Sequence, residues 1–269
     1  MKYLSDIEGY RVRSRYVYKY LPVSYLESIF EKGLRFCTPD MWIDKGDTRF
    51  FNADYSAINA DFVKPYLLAT CFTLNKQSEA SWKGYIDFSK IDSGLKNEHE
   101  DILTIAQLKI NRAKLRAELA NFCVKNSETV IDIYEGVVCY VTTHAFLNCH
   151  CPNIDGAKSL YNSLFRNKGF ELDDFLSVCL LKRREVFEHE RELRYFLLLK
   201  EKSDEFFVDI DIKSVVEHIY LWRANQIDKI STDYCESVAN KCDINPTIIE
   251  QANLYLNETG SMTPIKIVL

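Results

Sequence analysis

Glycine is scarce: 9 residues in a chain of 269, against an average near 7%. That shortage argues against Gly-rich phosphate loops, bladed propellers and repeat solenoids. Proline is also sparse, with 6 residues, and no Pro- or Ser-rich linker or low-complexity tract divides the chain. No G-x-G-x-x-G, G-x-x-x-x-G-K-[ST] or G-x-S-x-G occurs, so the usual dinucleotide, P-loop and hydrolase signatures are missing. No run approaches 18 apolar residues, and the start, Met1-Lys2-Tyr3-Leu4-Ser5-Asp6, has no signal-type apolar core. The expectation is a cytoplasmic protein with no membrane partner. An excess of positive charge is absent as well. With 34 Lys+Arg against 39 Asp+Glu, the net charge of -5 disfavours gripping nucleic acid through bulk charge, though a local basic strip stays open.

What is present is an ordinary core-forming balance, 47% hydrophobic and 27% charged, which disfavours disorder. Sixteen Tyr and sixteen Phe favour aromatic packing or stacking. The nine cysteines are an odd, scattered set and read as reduced thiols, with Cys71, Cys123, Cys139 and Cys179 in apolar settings. His144, Cys149, His150 and Cys151 cluster too closely for one zinc chelate, and His189-Glu190 lacks the second His because position 193 is Leu193. No metal site is expected from either.

Periodicity alternates between strand and helix without a regular βαβ beat. Residues 10 to 20 alternate as a strand, with Arg11, Arg13, Arg15 and Lys19 on one face and Val12, Tyr16, Tyr18 and Tyr20 on the other. Val23 to Lys32 predicts a helix capped by Gly33, and Leu34 to Cys37 a brief strand. Residues 41 to 62 read as a long functional loop, Tyr66 to Thr73 as a central strand, and Ser78 to Tyr85 as a capped helical turn. Residues 98 to 126 predict one long helix, and Val130 to Thr142 a β-rich stretch. Residues 157 to 184 suggest two helices broken near Gly169. Strands follow at Glu192 to Leu199, Glu205 to Ile210 and Val215 to Trp222, then a helix over Ile227 to Lys241 and an edge strand at Ile265 to Leu269. The pattern predicts an α+β fold in a single domain, 1–269, with a helical insertion at about 95–128.

Several segments in order carry a resemblance. They are Tyr18-Lys19-Tyr20, Phe36-x-x-Pro39-x-x-Trp42-x-Asp44, Cys71-Phe72-Thr73, Ser81-Trp82-x-x-Tyr85 and Glu190-x-Glu192-x-Arg194. This order resembles a widespread bacterial family of unknown function whose members run Y-K-Y, F-x-x-P-x-x-F-N-D-P, C-F-S…M-W-x-x-Y and W-x-Y-E-x-E-x-R. The chain departs from it at Ile43 and Lys45, at Phe187 and His189, and by a long helix inserted after Tyr85. The layout also looks distantly like the ADP-ribosyltransferase toxins, with Tyr18 and Tyr20 where those proteins carry H-x-T. That likeness implies a split mixed β-sheet with flanking helices.

It further implies an NAD-dependent transferase that modifies a macromolecule (RNA, DNA or protein), as a toxin or antiviral, anti-phage effector, which an antitoxin protein would accompany. Glu192 and Glu190 would be the catalytic carboxylates, bracing the oxocarbenium-like ribose. Tyr18, Tyr20, Trp82, Tyr85 and Arg194 would bind the NAD. Two rivals stand beside this: an inactive nucleotide- or partner-binding module of the same fold, and a metal-dependent nuclease using Asp44, Asp47 and the Glu row. Glu190, Glu192 and Arg194 alternate onto one strand face, and the plain alternative is a solvated ion-pair row for these three and core packing for the aromatics.

Overall fold

The computed structural model describes residues 1–3, 14–41, 66–76, 82, 104–143, 176, 179–223 and 230–252. Its frame is a mixed sheet. The strands are β1 (Lys2–Tyr3), β2 (Tyr16–Pro22), β3 (Leu34–Cys37), β4 (Leu67–Thr73), β5 (Thr104–Asn111) and β6 (Val130–Val137). They continue with β9 (Glu192–Leu199), β10 (Glu205–Val208), β11 (Val216–Arg223) and β12 (Ile249–Gln251). β7 (Cys139–Val141) and β8 (Leu181–Arg183) form a separate parallel pair. The order across the main sheet is β1-β6-β9-β4-β2-β5-β11-β12, with β3 joining β4 to β10. The β1–β6 and β11–β12 pairs are parallel and the rest antiparallel. Mixed sheet and helices together make the fold α+β.

Helices cover one face. They are α1 (Leu26–Lys32), α2 (Arg112–Lys125) and α3 (Thr232–Cys242). Their Leu26, Ile29, Leu115, Leu119, Phe122, Val238 and Ala239 pack with Val17, Leu21, Ala106, Leu108, Ile110, Leu193, Leu197, Ile219 and Leu221 in one core. Alternation then sends Tyr16, Tyr18, Tyr20, Gln107, Lys109, Glu192, Arg194 and Tyr220 to the opposite face. Gly33 ends α1 at φ 87°, ψ -159°, a conformation open in practice only to glycine, and a Cβ there would meet the Val208 carbonyl oxygen at 2.1 Å.

Two helical expectations give way to strands. Residues 98–126 are not one helix: Thr104–Asn111 is a strand between β2 and β11, and the helix begins only at Arg112, with the Asn111 side chain accepting from the Lys114 N–H. Lys19 lies on the helix-covered face of β2. It stands between the core residues Val17 and Leu21, and its Nζ donates to Thr70 Oγ1 at 2.9 Å and the Cys71 carbonyl at 3.1 Å. Burial lowers its pKa, opposed by Cys71, Cys37 and Glu192 nearby. Within the stretch read as two helices, Leu181–Arg183 is a strand. Arg11, Arg13, the 42–62 part of the long loop and the expected strand at 265–269 lie outside the described residues.

Candidate functional site

The sheet face opposite the helices gathers five of the seven candidate residues, Tyr18, Tyr20, Trp82, Glu192 and Arg194, and Glu190 reaches them through Lys182. Pairing of β4 with β9 sets Thr73 opposite Glu192 and Cys71 opposite Arg194, while the single β2–β4 bridge sets Tyr18 opposite Thr73. Glu192, Thr73 and Tyr18 therefore share one transverse row and one face. Two strand spacings put the Glu192 and Tyr18 backbones about 10 Å apart. Beyond Tyr18 the β2–β4 ladder stops, and the Lys19 ammonium takes the Cys71 carbonyl instead. Tyr85 lies outside the described residues, as do Asp44 and Asp47 of the nuclease reading and the His144–Cys151 cluster. Among the described residues no group of His, Cys, Asp and Glu could hold a metal ion.

At the carboxylate end, Glu192 opens β9 and is 6% exposed. Arg194 clasps it through Nε–Oε1 at 2.7 Å and Nη2–Oε2 at 3.0 Å. Lys182 reaches it from β8 at 3.2 Å and reaches Glu190 at 2.6 Å. Two carboxylates thus meet two cations. Burial opposes ionisation of Glu192, but Arg194, Lys182, the Arg194 hydrogen bond and the Cys71 thiol outweigh it and hold the carboxyl down at about 2. The Glu192 N–H donates to the Tyr140 phenol at 2.8 Å, and the Arg194 guanidinium also donates to the Cys179 carbonyl at 3.1 Å.

Glu190 does not alternate with Glu192 on the strand. It ends a short 3-10 turn, and Arg191 at φ 42° breaks the extended backbone between them. Lys182 nevertheless brings both carboxylates to one cation, and the Glu190 side chain keeps 33% exposure. The turn is tied to β4, since Thr73 Oγ1 donates to the Glu190 carbonyl and Asn75 Nδ2 to the His189 carbonyl.

The depressed pKa has a consequence for acid stability. An unfolded glutamate titrates near 4.5, so between 4.5 and about 2 the unfolded chain binds the extra proton. This contribution is whole above pH 4.5 and disappears as pH falls through the folded value. Glu135, lowered against burial by Arg116, Arg112 and Tyr195, acts in the same direction. Urea midpoints at fixed pH should fall steeply on acidification below about pH 4.5. A flat profile from pH 5 to 2.5 would show that these carboxylates are unpaired in solution.

At the aromatic end, Gln107 stands opposite both Tyr20 on β2 and Tyr220 on β11, and Ile105 opposite Trp222. Tyr20, Trp82, Ile105, Tyr220 and Ala252 form a second buried cluster with Trp222 against it. The Trp82 ring meets Tyr20 edge-on at 4.8 Å and Trp222 at 6.1 Å. A ring that touches both flanking strands lies across β5. Tyr18 and Tyr20 are themselves only 6% and 5% exposed, so neither offers a bare ring as the expected stacking clamp would. Burial first, then Tyr220, Tyr16 and Glu217, pushes the Tyr18 phenol up to about 12, which keeps it a neutral donor.

Lys182, Tyr140, Cys71 and Gln107 were not singled out for the site by sequence reasoning. For Gln107 a signal exists: it is the lone amide in the apolar run Ile105-Ala106-Gln107-Leu108. For Lys182 none does, because β8 is too short to show periodicity. No family model, no curated protein and no solved structure matches this chain. Within the described residues no helix is long and apolar enough to cross a membrane.

Proposed function

We propose that the face opposite the helices binds NAD and that the protein transfers ADP-ribose to a macromolecule, as a toxin or anti-phage effector. The observation that carries this reading is the common face: an ionised, guanidinium-clasped Glu192 stands two strands from Tyr18, beside a cluster of aromatic rings and an amide. Breaking the nicotinamide–ribose bond builds positive charge on the ribose, and a fixed carboxylate in a buried site stabilises that charge. Arg194 and Lys182 keep the carboxylate charged and oriented; Glu190, more exposed, is the second candidate for the ribose hydroxyls. The interrupted β2–β4 ladder agrees with the split sheet implied by the resemblance.

One observation favours the non-enzymatic module: both Glu192 oxygens already serve Arg194 and Lys182. Labelled NAD separates the two readings. A transferase moves label onto RNA, DNA or protein and slows growth when expressed without its antitoxin, whereas a module binds NAD and transfers nothing. Tyr20→Leu distinguishes binding from packing. Loss of a ring contact with NAD weakens its binding several-fold, on the scale of about 0.5–1.5 kcal/mol. A fall in melting temperature with unchanged NAD affinity would assign Tyr20 to the core alone.

A further inference from the structure

We propose that Gln107 reads the edge of a planar heteroaromatic ring that carries a hydrogen-bond donor and acceptor side by side. This inference deepens the NAD reading and rests on it for the choice of ligand. Gln107 is 0% exposed, yet among the described residues neither its Nε2 nor its Oε1 has a hydrogen-bond partner. The Trp82 indole N–H, buried against Tyr20, is also unpartnered among the described residues, and Trp82 is 0% exposed. Native interiors leave very few buried polar groups unsatisfied, and each one calls for an explanation. Leucine or methionine at 107 would fill the same space without desolvating an amide.

The surroundings say what the amide could serve. Gln107 is flanked on neighbouring strands by Tyr20 and Tyr220, and Trp82 lies across β5 above this row. A side-chain amide offers one donor and one acceptor in a plane. Its complement is an acceptor and donor in a plane, as in the carboxamide of nicotinamide or the amino edge of adenine, and the aromatic walls suit a flat ring. Lys109, two residues along the same strand and face, lies 3.7 Å from Glu217, with its ammonium 4.2 Å from the Tyr16 ring centroid. It is placed to meet phosphates joined to such a ring. Because Trp82 covers the row, the ring enters where the indole now stands, and Trp82 shifts on binding.

The test is calorimetry on the full chain with NAD, nicotinamide and adenosine, for the wild type and Gln107→Leu, together with melting of both proteins without ligand. The expected result is NAD affinity lowered about tenfold or more by Gln107→Leu, with an unliganded melting temperature equal to or above wild type. Nicotinamide lost alongside NAD assigns the carboxamide; adenosine lost alongside NAD assigns the amino edge. Unchanged NAD affinity in Gln107→Leu overturns the role of Gln107 and leaves the NAD reading standing. Binding of nicotinamide or adenosine that depends on Gln107, without binding of NAD, keeps the ring site and removes the NAD reading. A wild type that binds none of the three overturns both. If Gln107→Leu does not fold, Gln107→Met replaces it, and a large loss of melting temperature in both variants overturns the proposal by showing the amide satisfied within the free protein.

Discussion

Arg194→Leu should destabilise the protein by about 3–5 kcal/mol, because it strands a buried carboxylate whose partner is gone. The guanidinium is 1% exposed and makes two of the hydrogen bonds that fix Glu192, in a setting closed to solvent. Lys182, at 3.2 Å, remains as a single shared cation for two carboxylates. The double variant Arg194→Leu with Glu192→Leu should recover most of the loss. Apolar side chains replace a buried ion pair at little cost, and the Lys182–Glu190 pair stays balanced. Urea unfolding of the wild type, both single variants and the double variant gives the coupling energy directly. Additive losses, with the double variant worse than either single one, would mean that the pair does not exist in solution.

Glu192→Gln should keep the fold and cut ADP-ribosyl transfer by roughly 10²–10⁴-fold, the scale of a positioned catalytic group. The amide preserves the shape of the side chain and removes its charge, so NAD affinity should change far less than turnover. The charge matters because the carboxyl is held ionised, at about 2, in a buried setting where a fixed negative charge acts strongly on a developing cation. Some stability is lost too, since Arg194 then lacks a full counter-charge, and rates are therefore compared per folded molecule. Glu190→Gln is the matched control. Its side chain is the more exposed of the two, and its loss leaves the Arg194 clasp intact. Transfer abolished in Glu190→Gln but retained in Glu192→Gln would move the chemical role to Glu190 and leave Glu192 as the anchor of β9.

Much of the frame was legible where the local signal and the tertiary need agreed. Leu34–Cys37 and Glu192–Leu199 lie where the apolar alternation and runs put them, and Gly33 caps α1 as its position after Lys32 suggested. β5 was not legible. Thr104–Asn111 contains Ala, Gln, Leu and Lys, all good helix formers, and it leads without a break into a true helix; only its place between β2 and β11 makes it a strand. The pairing of Glu190 with Glu192 was read as strand alternation, but Arg191 in the left-handed region separates them. What reunites them is Lys182, which is close in space for a reason no spacing rule contains. The aromatic face was visible as the parity of Tyr16, Tyr18 and Tyr20. Its closure by Trp82 depends on a segment whose path the sequence does not state.

A crystal structure determined after soaking with NAD tests the common face most directly. The expected structure has the nicotinamide or adenine ring between Tyr20 and Tyr220 with its edge on Gln107, Trp82 displaced from its present contact with Tyr20, and the ribose directed along the face toward Glu192. NAD bound elsewhere, or Tyr18, Tyr20 and Trp82 unmoved and sealed at saturating NAD, would contradict it.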